Sequence, residues 1–155
     1  MTRTLKTLAL LLAFVVAGPR VGQAEDDKKI GKWKLRVDPP AHGTREYEDR
    51  GSGVTVSTRK GVNSRGQEYY SSYAAKVDGK EYPRLVRGSN AVNTIAFTRV
   101  DANTVAYTLR EDGKITSTGT TSVSSDGKVL TVTTRSVNAS AATGRGSVEI
   151  YDRIP

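Results

Sequence analysis

The stretch TIAFTRVDANTVAYTLREDGK, Thr94 to Lys114, decides how the rest of the chain is read. Apolar residues recur in it at every second position. Ile95 and Phe97 share one face of the first run, and Val105, Tyr107 and Leu109 share one face of the second. A period of two belongs to a strand; a helix would bring the apolar residues back at three and four. Between the runs lies VDAN (100–103), and after the second lies EDGK (111–114). An Asp-Gly pair supplies the positive φ that a tight reversal requires, so the stretch predicts consecutive antiparallel strands.

The same reading extends in both directions. WKLRV (33–37) alternates Trp33, Leu35 and Val37; VLTVTTRSV (129–137) puts Leu130, Val132 and Thr134 on one side; GSVEIYDR (146–153) sets Val148 and Ile150 on one face. Further turn signals stand at RGSG (50–53), NSRG (63–66), VDGK (77–80) and SDGK (125–128). Strands are predicted over 32–37, 44–49, 54–60, 67–76, 82–87, 93–100, 104–110, 114–123, 128–137 and 146–153, and no substantial helix after residue 24. The fold class is all-β, an antiparallel up-and-down meander of eight to ten strands. Left open, such a meander exposes two ladder edges to aggregation. Closing it into a barrel removes them without long connections, and only 38–44 and 138–144 are long enough for the cross-connection of a Greek-key sandwich.

Some faces assigned to the interior are small or hydroxylated: Tyr69, Ser71, Tyr73 and Ala75 on one strand, Ile115, Ser117, Gly119, Thr121 and Val123 on another. A solid core would require Leu and Ile there, so these faces predict space or water inside.

Residues 1–24, MTRTLKTLALLLAFVVAGPRVGQA, have the basic start, apolar run of about a dozen residues and small-residue end of a secretory signal cleaved near Ala24. The run is too short for the ~20 residues of a membrane span, and REYED or TSTGTTSVSS could not face acyl chains as an outer-membrane barrel requires. Residues 25–155 then form one domain, secreted to the periplasm or beyond. Removing Arg3, Lys6 and Arg20 takes the formal charge from +8 to +5. These charges are scattered without a run of five, so no nucleic-acid track is predicted. The chain has no cysteine, so burial and hydrogen-bonded ladders must hold it together.

No catalytic constellation is found, and the chain is read as a non-enzyme. His42 is the sole histidine and lies in the loop PPAHGT, which leaves neither a metal cluster nor a Ser-His-Asp triad; no cofactor is implied. Glu46, Glu48 and Asp49 alternate along a strand, and Glu111 with Asp112 belongs to a hairpin tip. Tyr69 and Tyr73 in QEYYSSYAAK are candidates to stack on a ligand.

The only tryptophan stands behind Gly31-Lys32, and this Gly-x-Trp resembles the opening of the first strand in lipocalins. That resemblance implies an indole plugging the closed end of a barrel, with a terminal-strand arginine packed across it. Arg153 in YDRIP, or Arg145 in TGRGS, would be the partner. Over 30–155 the chain also looks like small secreted bacterial lipocalin-like proteins of unassigned function. It is similar, more faintly, to fatty-acid-binding proteins. In those an Arg-x-Tyr pair on the last strand grips the ligand carboxylate, whereas Glu149-Ile150-Tyr151 stands here, and their helical lid and the helix that follows a lipocalin barrel have no counterpart.

The expectation is therefore a lipocalin-like barrel with Gly31, Trp33 and Arg153 at its base. Phe97, Tyr107, Leu109, Leu130, Val132, Val148 and Ile150 would lie inside it. The ligand-contacting candidates are Tyr69, Tyr73, Phe97, Tyr107, Leu109, Leu130 and Val132, holding a small hydrophobic or amphipathic molecule. The alternative is a protein-interaction module, such as an inhibitor of an exported protease that uses a loop or the arm EDDKKI (25–30).

Overall fold

Trp33 is fully buried where the first strand meets the last, and that junction closes the sheet. A computed structural model of the chain describes residues 27–137 and 146–155. The candidate signal and cleavage site at 1–24, and Arg145, lie outside the described residues.

Ten strands follow one another: β1 (Gly31–Leu35), β2 (His42–Asp49), β3 (Thr55–Val62), β4 (Glu68–Ala75), β5 (Glu81–Val86), β6 (Asn93–Arg99), β7 (Thr104–Glu111), β8 (Lys114–Val123), β9 (Val129–Ser136) and β10 (Ser147–Ile154). Each pairs antiparallel with its sequence neighbours, and β10 pairs with β1 through Trp33↔Arg153 and Leu35↔Tyr151. The result is a closed barrel with no free edge. The observed strand ends lie within two residues of those predicted.

Local chemistry accounts for the reversals. The two residues joining β7 to β8, Asp112 and Gly113, both have positive φ, +48° and +77°. That pair of signs is what a two-residue hairpin needs to match the strand twist. Asp78, Asp101 and Asp126 each accept a bond from the backbone N–H two residues on, at Lys80, Asn103 and Lys128, which locks their turns.

Side chains alternate inward and outward along each strand. Trp33, Tyr47, Ala75, Ile95, Phe97, Val105, Tyr107, Val123, Leu130, Val132 and Tyr151 form the buried apolar cluster. Most of these residues lie toward the end of the barrel where the 50–54, 76–80, 100–103 and 124–128 connections sit. The opposite half of the lumen is lined differently.

Two inward assignments from the sequence are corrected. On β10, Val148 is 62% exposed and Ile150 shares its outward face, while Glu149 and Tyr151 point in. The alternation was right and its phase was wrong by one residue, which exchanges the two faces completely. On β8, the register shifts between Leu109 and Arg110, so that Leu109 opposes Ser117 but Arg110 opposes Ile115. This bulge turns Ile115 outward, away from the face of Ser117, Gly119, Thr121 and Val123.

Candidate ligand site in the barrel lumen

The base of the site is a stack. The Arg153 guanidinium carbon lies 4.3 Å from the centroid of the Trp33 ring. Arg153 also donates to the carbonyls of Gly127 (2.7 Å), Ile30 (2.8 Å) and Lys28, and Trp33 Nε1 donates to the Lys29 carbonyl at 2.9 Å. One arginine thereby ties the strand-entry segment, the last strand and the β8–β9 turn across the indole. Gly31 is required beneath it on two counts. Its φ is +132°, and a Cβ there would lie 2.5 Å from Arg153 Nη1. The glycine of Gly-x-Trp makes room for the arginine.

Above this base lies a cavity of about 210 Å³. Ile95, Phe97, Leu109 and Val132 give its wall apolar surface, and the hydroxyls of Ser57, Ser71, Thr121 and Thr134 are distributed round it, with Thr121 directly opposite Val132. The charged residues on the wall are Arg45, Arg59, Arg84 and Glu149, from β2, β3, β5 and β10. Two tyrosines lie flat on glycines of the adjacent strand and so leave the lumen open. Tyr107 opposes Gly119, where a Cβ would lie 2.5 Å from its hydroxyl, and Tyr69 opposes Gly61, where the same distance recurs. Glycine at both positions lets an aromatic ring cover the backbone instead of filling the barrel. The Tyr107 hydroxyl is then fixed by donating to the Thr133 carbonyl at 2.9 Å, with Thr134 Oγ1 at 2.5 Å.

Glu149 is the centre of a charged cluster. Arg59 Nη2 pairs with its Oε1, Arg45 Nη2 lies 3.5 Å from Oε2, and the Tyr151 hydroxyl donates to Oε2 at 2.8 Å. Burial alone would raise the Glu149 carboxyl, but the Arg59 and Arg45 charges, with the bonds from Tyr151 and Arg59, outweigh it and hold the group below the usual carboxylate range. Burial likewise opposes the charge on Arg45 and Arg59, and neighbouring tyrosines and Glu149 keep both guanidinium groups firmly protonated. The Nε of each is buried without a hydrogen-bond partner among the described residues.

Arg84 stands apart from this cluster. It is half-buried, lies opposite Tyr73 across the β4–β5 pairing, and has neither a carboxylate within 4 Å nor a side-chain hydrogen bond among the described residues. Burial lowers its affinity for a proton, and the charges of Arg59 and Arg45 lower it further. Three cations against one anion leave the lumen with a formal charge of +2.

Of the sequence-predicted contacts, Tyr73, Phe97, Tyr107, Leu109 and Val132 line this cavity. Tyr73 and Phe97 rings lie 5.2 Å apart and Phe97 and Tyr107 6.4 Å apart. Leu130 is fully buried and does not line the cavity. Tyr69 lines a second cavity, about 400 Å³, with His42, Lys60, Tyr70 and Arg87, and its ring carries Arg59 at 4.2 Å. The sequence reading missed Arg45, Arg59, Arg84 and Glu149. A signal was present: Arg45 is in phase with Tyr47, and Arg84 with Tyr82, so an aromatic assigned inward takes an arginine with it.

No protein-family model matches the chain, and a comparison with curated proteins finds no similar sequence.

Proposed function

We propose that this protein is a calycin-like binding protein that holds a small amphipathic molecule in the lumen of its barrel. The observation that carries this reading is the 210 Å³ space itself, with apolar side chains from β6, β7 and β9 and charged side chains from β2, β3, β5 and β10, above a base sealed by Trp33. Native interiors are packed nearly as densely as organic crystals, so a void of about seven water volumes, where Tyr107 lies against Gly119 instead of filling the lumen, is a built feature. Drug-sized ligands need roughly 300–1,000 Å³, so the occupant is smaller, on the order of ten non-hydrogen atoms.

The Gly-x-Trp opening, with arginine across the indole, supports the family; the ten strands depart from the eight of lipocalins. The order of basic, apolar and small residues in 1–24 supports action after export. Mass spectrometry of material extracted from the purified protein, with amide-resolved NMR titration of small aromatic and aliphatic compounds, tests the reading. A co-purifying molecule, or shifts confined to the lumen residues around Phe97 and Val132, is expected. An empty extract together with an unperturbed lumen across the panel overturns it.

A further inference from the structure

We propose that the occupant of the lumen is a small organic acid whose anionic head is bound by Arg84 and whose apolar body lies against Phe97, Leu109 and Val132. This rests on the lumen-binding reading above and names the class of ligand for it. The argument begins from what Arg84 lacks. A guanidinium removed from bulk water is expensive unless a negative group faces it, and the neighbouring arginines each have one in Glu149. Arg84 faces the same cavity without a carboxylate, and the nearby charges of Arg45 and Arg59 repel it.

Neutral ligands would leave that imbalance in place. A cation would worsen it. A monoanion removes half of the formal +2 and presents oxygens to the planar fork of donors that arginine offers to carboxylates. The hydroxyls of Ser57 and Ser71 line the same cavity and supply further donors for a second oxygen. Glu149 faces Arg45 and Arg59 and already supplies the carboxylate on the terminal strand, whereas no carboxylate lies within 4 Å of Arg84 among the described residues. The size of the cavity admits a single ring or a short chain beside the head, and no long acyl tail.

Unpaired, Arg84 lowers stability, so its removal leaves the fold intact and isolates binding. The test uses three compounds of one shape: benzoate, benzamide and benzamidinium, with charges of −1, 0 and +1. Inorganic phosphate is a fourth arm. Binding is followed by calorimetry and by the NMR signals of Arg84 Nε–H and of the lumen amides, in the native protein, in Arg84→Gln and in Lys34→Gln, an exposed residue whose substitution makes the same charge change. The native protein is expected to favour benzoate over benzamide by roughly tenfold to a hundredfold, the span of one charge-assisted hydrogen bond. The preference should be lost in Arg84→Gln, be kept in Lys34→Gln, and be absent for benzamidinium.

Equal binding of benzoate and benzamide overturns the inference and leaves lumen binding standing. Phosphate binding as tightly as benzoate overturns the apolar half. No lumen response to any of the four compounds overturns this inference; the lumen-binding reading falls with it only when the extract is empty and the wider panel leaves the lumen unperturbed.

Discussion

The two halves of this barrel use arginine in opposite ways. At the base, Arg153 is satisfied on every side: its face lies on Trp33 and its donors reach three backbone carbonyls. In the lumen, Arg45 and Arg59 share one carboxylate and Arg84 has none among the described residues. The same side chain is thus a rivet where its donors are used up and a receptor where they are left over. On the proposed function, stability resides at the base and binding in the lumen, and substitutions should separate them.

The largest effect belongs to the base. Trp33→Ala should destabilise the protein by about 3–5 kcal/mol, the range for removing a buried aromatic side chain and leaving a cavity. A urea titration read by circular dichroism measures it, since the variant has no tryptophan left to report. A loss below about 1 kcal/mol would mean that the indole does not seal the barrel.

Next is Glu149, where the two halves share consequences. Glu149→Gln leaves two cations without their carboxylate and should cost about 2–3 kcal/mol, below the 3–5 of a fully buried pair because the Arg59 and Glu149 side chains keep about a quarter of their surface exposed. The pH dependence has a definite sign. The carboxyl titrates lower in the folded chain than its usual 4.5, so the ionised cluster stabilises the fold above about that pH and ceases to do so as pH falls through the lower folded value. Asp27, held below its usual range by Lys29 in spite of burial, acts in the same direction. Urea midpoints from pH 7 down to pH 3 should therefore fall more steeply for the native protein than for Glu149→Gln. Parallel profiles would show that the arginines do not lower the Glu149 carboxyl.

How far the amino-acid sequence reveals this molecule follows from the same division. Strand number, strand ends and closure were readable because turns declare themselves: Asp112-Gly113 and Asp78-Gly79 permit few other conformations. The base was readable because Trp33 is unique and Gly31 precedes it at a telling distance. The charged lumen was not, since an arginine in a strand reads as exposed until the phase of that strand is known. In β10 the apolar Val148 and Ile150 pointed to the wrong phase, and Glu149 and Tyr151 were hidden behind them. In β8 a one-residue bulge broke an otherwise correct alternation.

A smaller effect distinguishes the stack from its surroundings. Arg153→Lys keeps the charge but loses the planar fork and the flat face over the indole. It should cost about 1–2 kcal/mol, because the cation–π contribution at an exposed site is only ~0.5–1 and the rest comes from lost carbonyl bonds. Gly31→Ala should cost a similar amount, ~1–3 kcal/mol, from its φ and the encroachment on Arg153. Because the new methyl group acts by displacing Arg153, the two losses should not add in the double variant. Full additivity in chemical denaturation would show that glycine serves only the backbone.

The smallest expected effect tests the corrected phase of β10. Val148 and Val132 both sit in strands at the β9–β10 pairing, and a sequence pattern alone would place both inside. Val148 is 62% exposed and Val132 3%. Replacing either by threonine keeps the shape and the β-branched preference for a strand, so the difference between the two isolates burial of one hydroxyl. Val148→Thr should change stability by less than about 0.5 kcal/mol, as surface substitutions do. Val132→Thr should cost about 1–2 kcal/mol, since it exchanges a buried methyl group for a hydroxyl on the wall opposite Thr121. If the two costs were reversed, Glu149 and Tyr151 would face solvent, and Arg45 and Arg59 would lose the one carboxylate that sets them apart from Arg84.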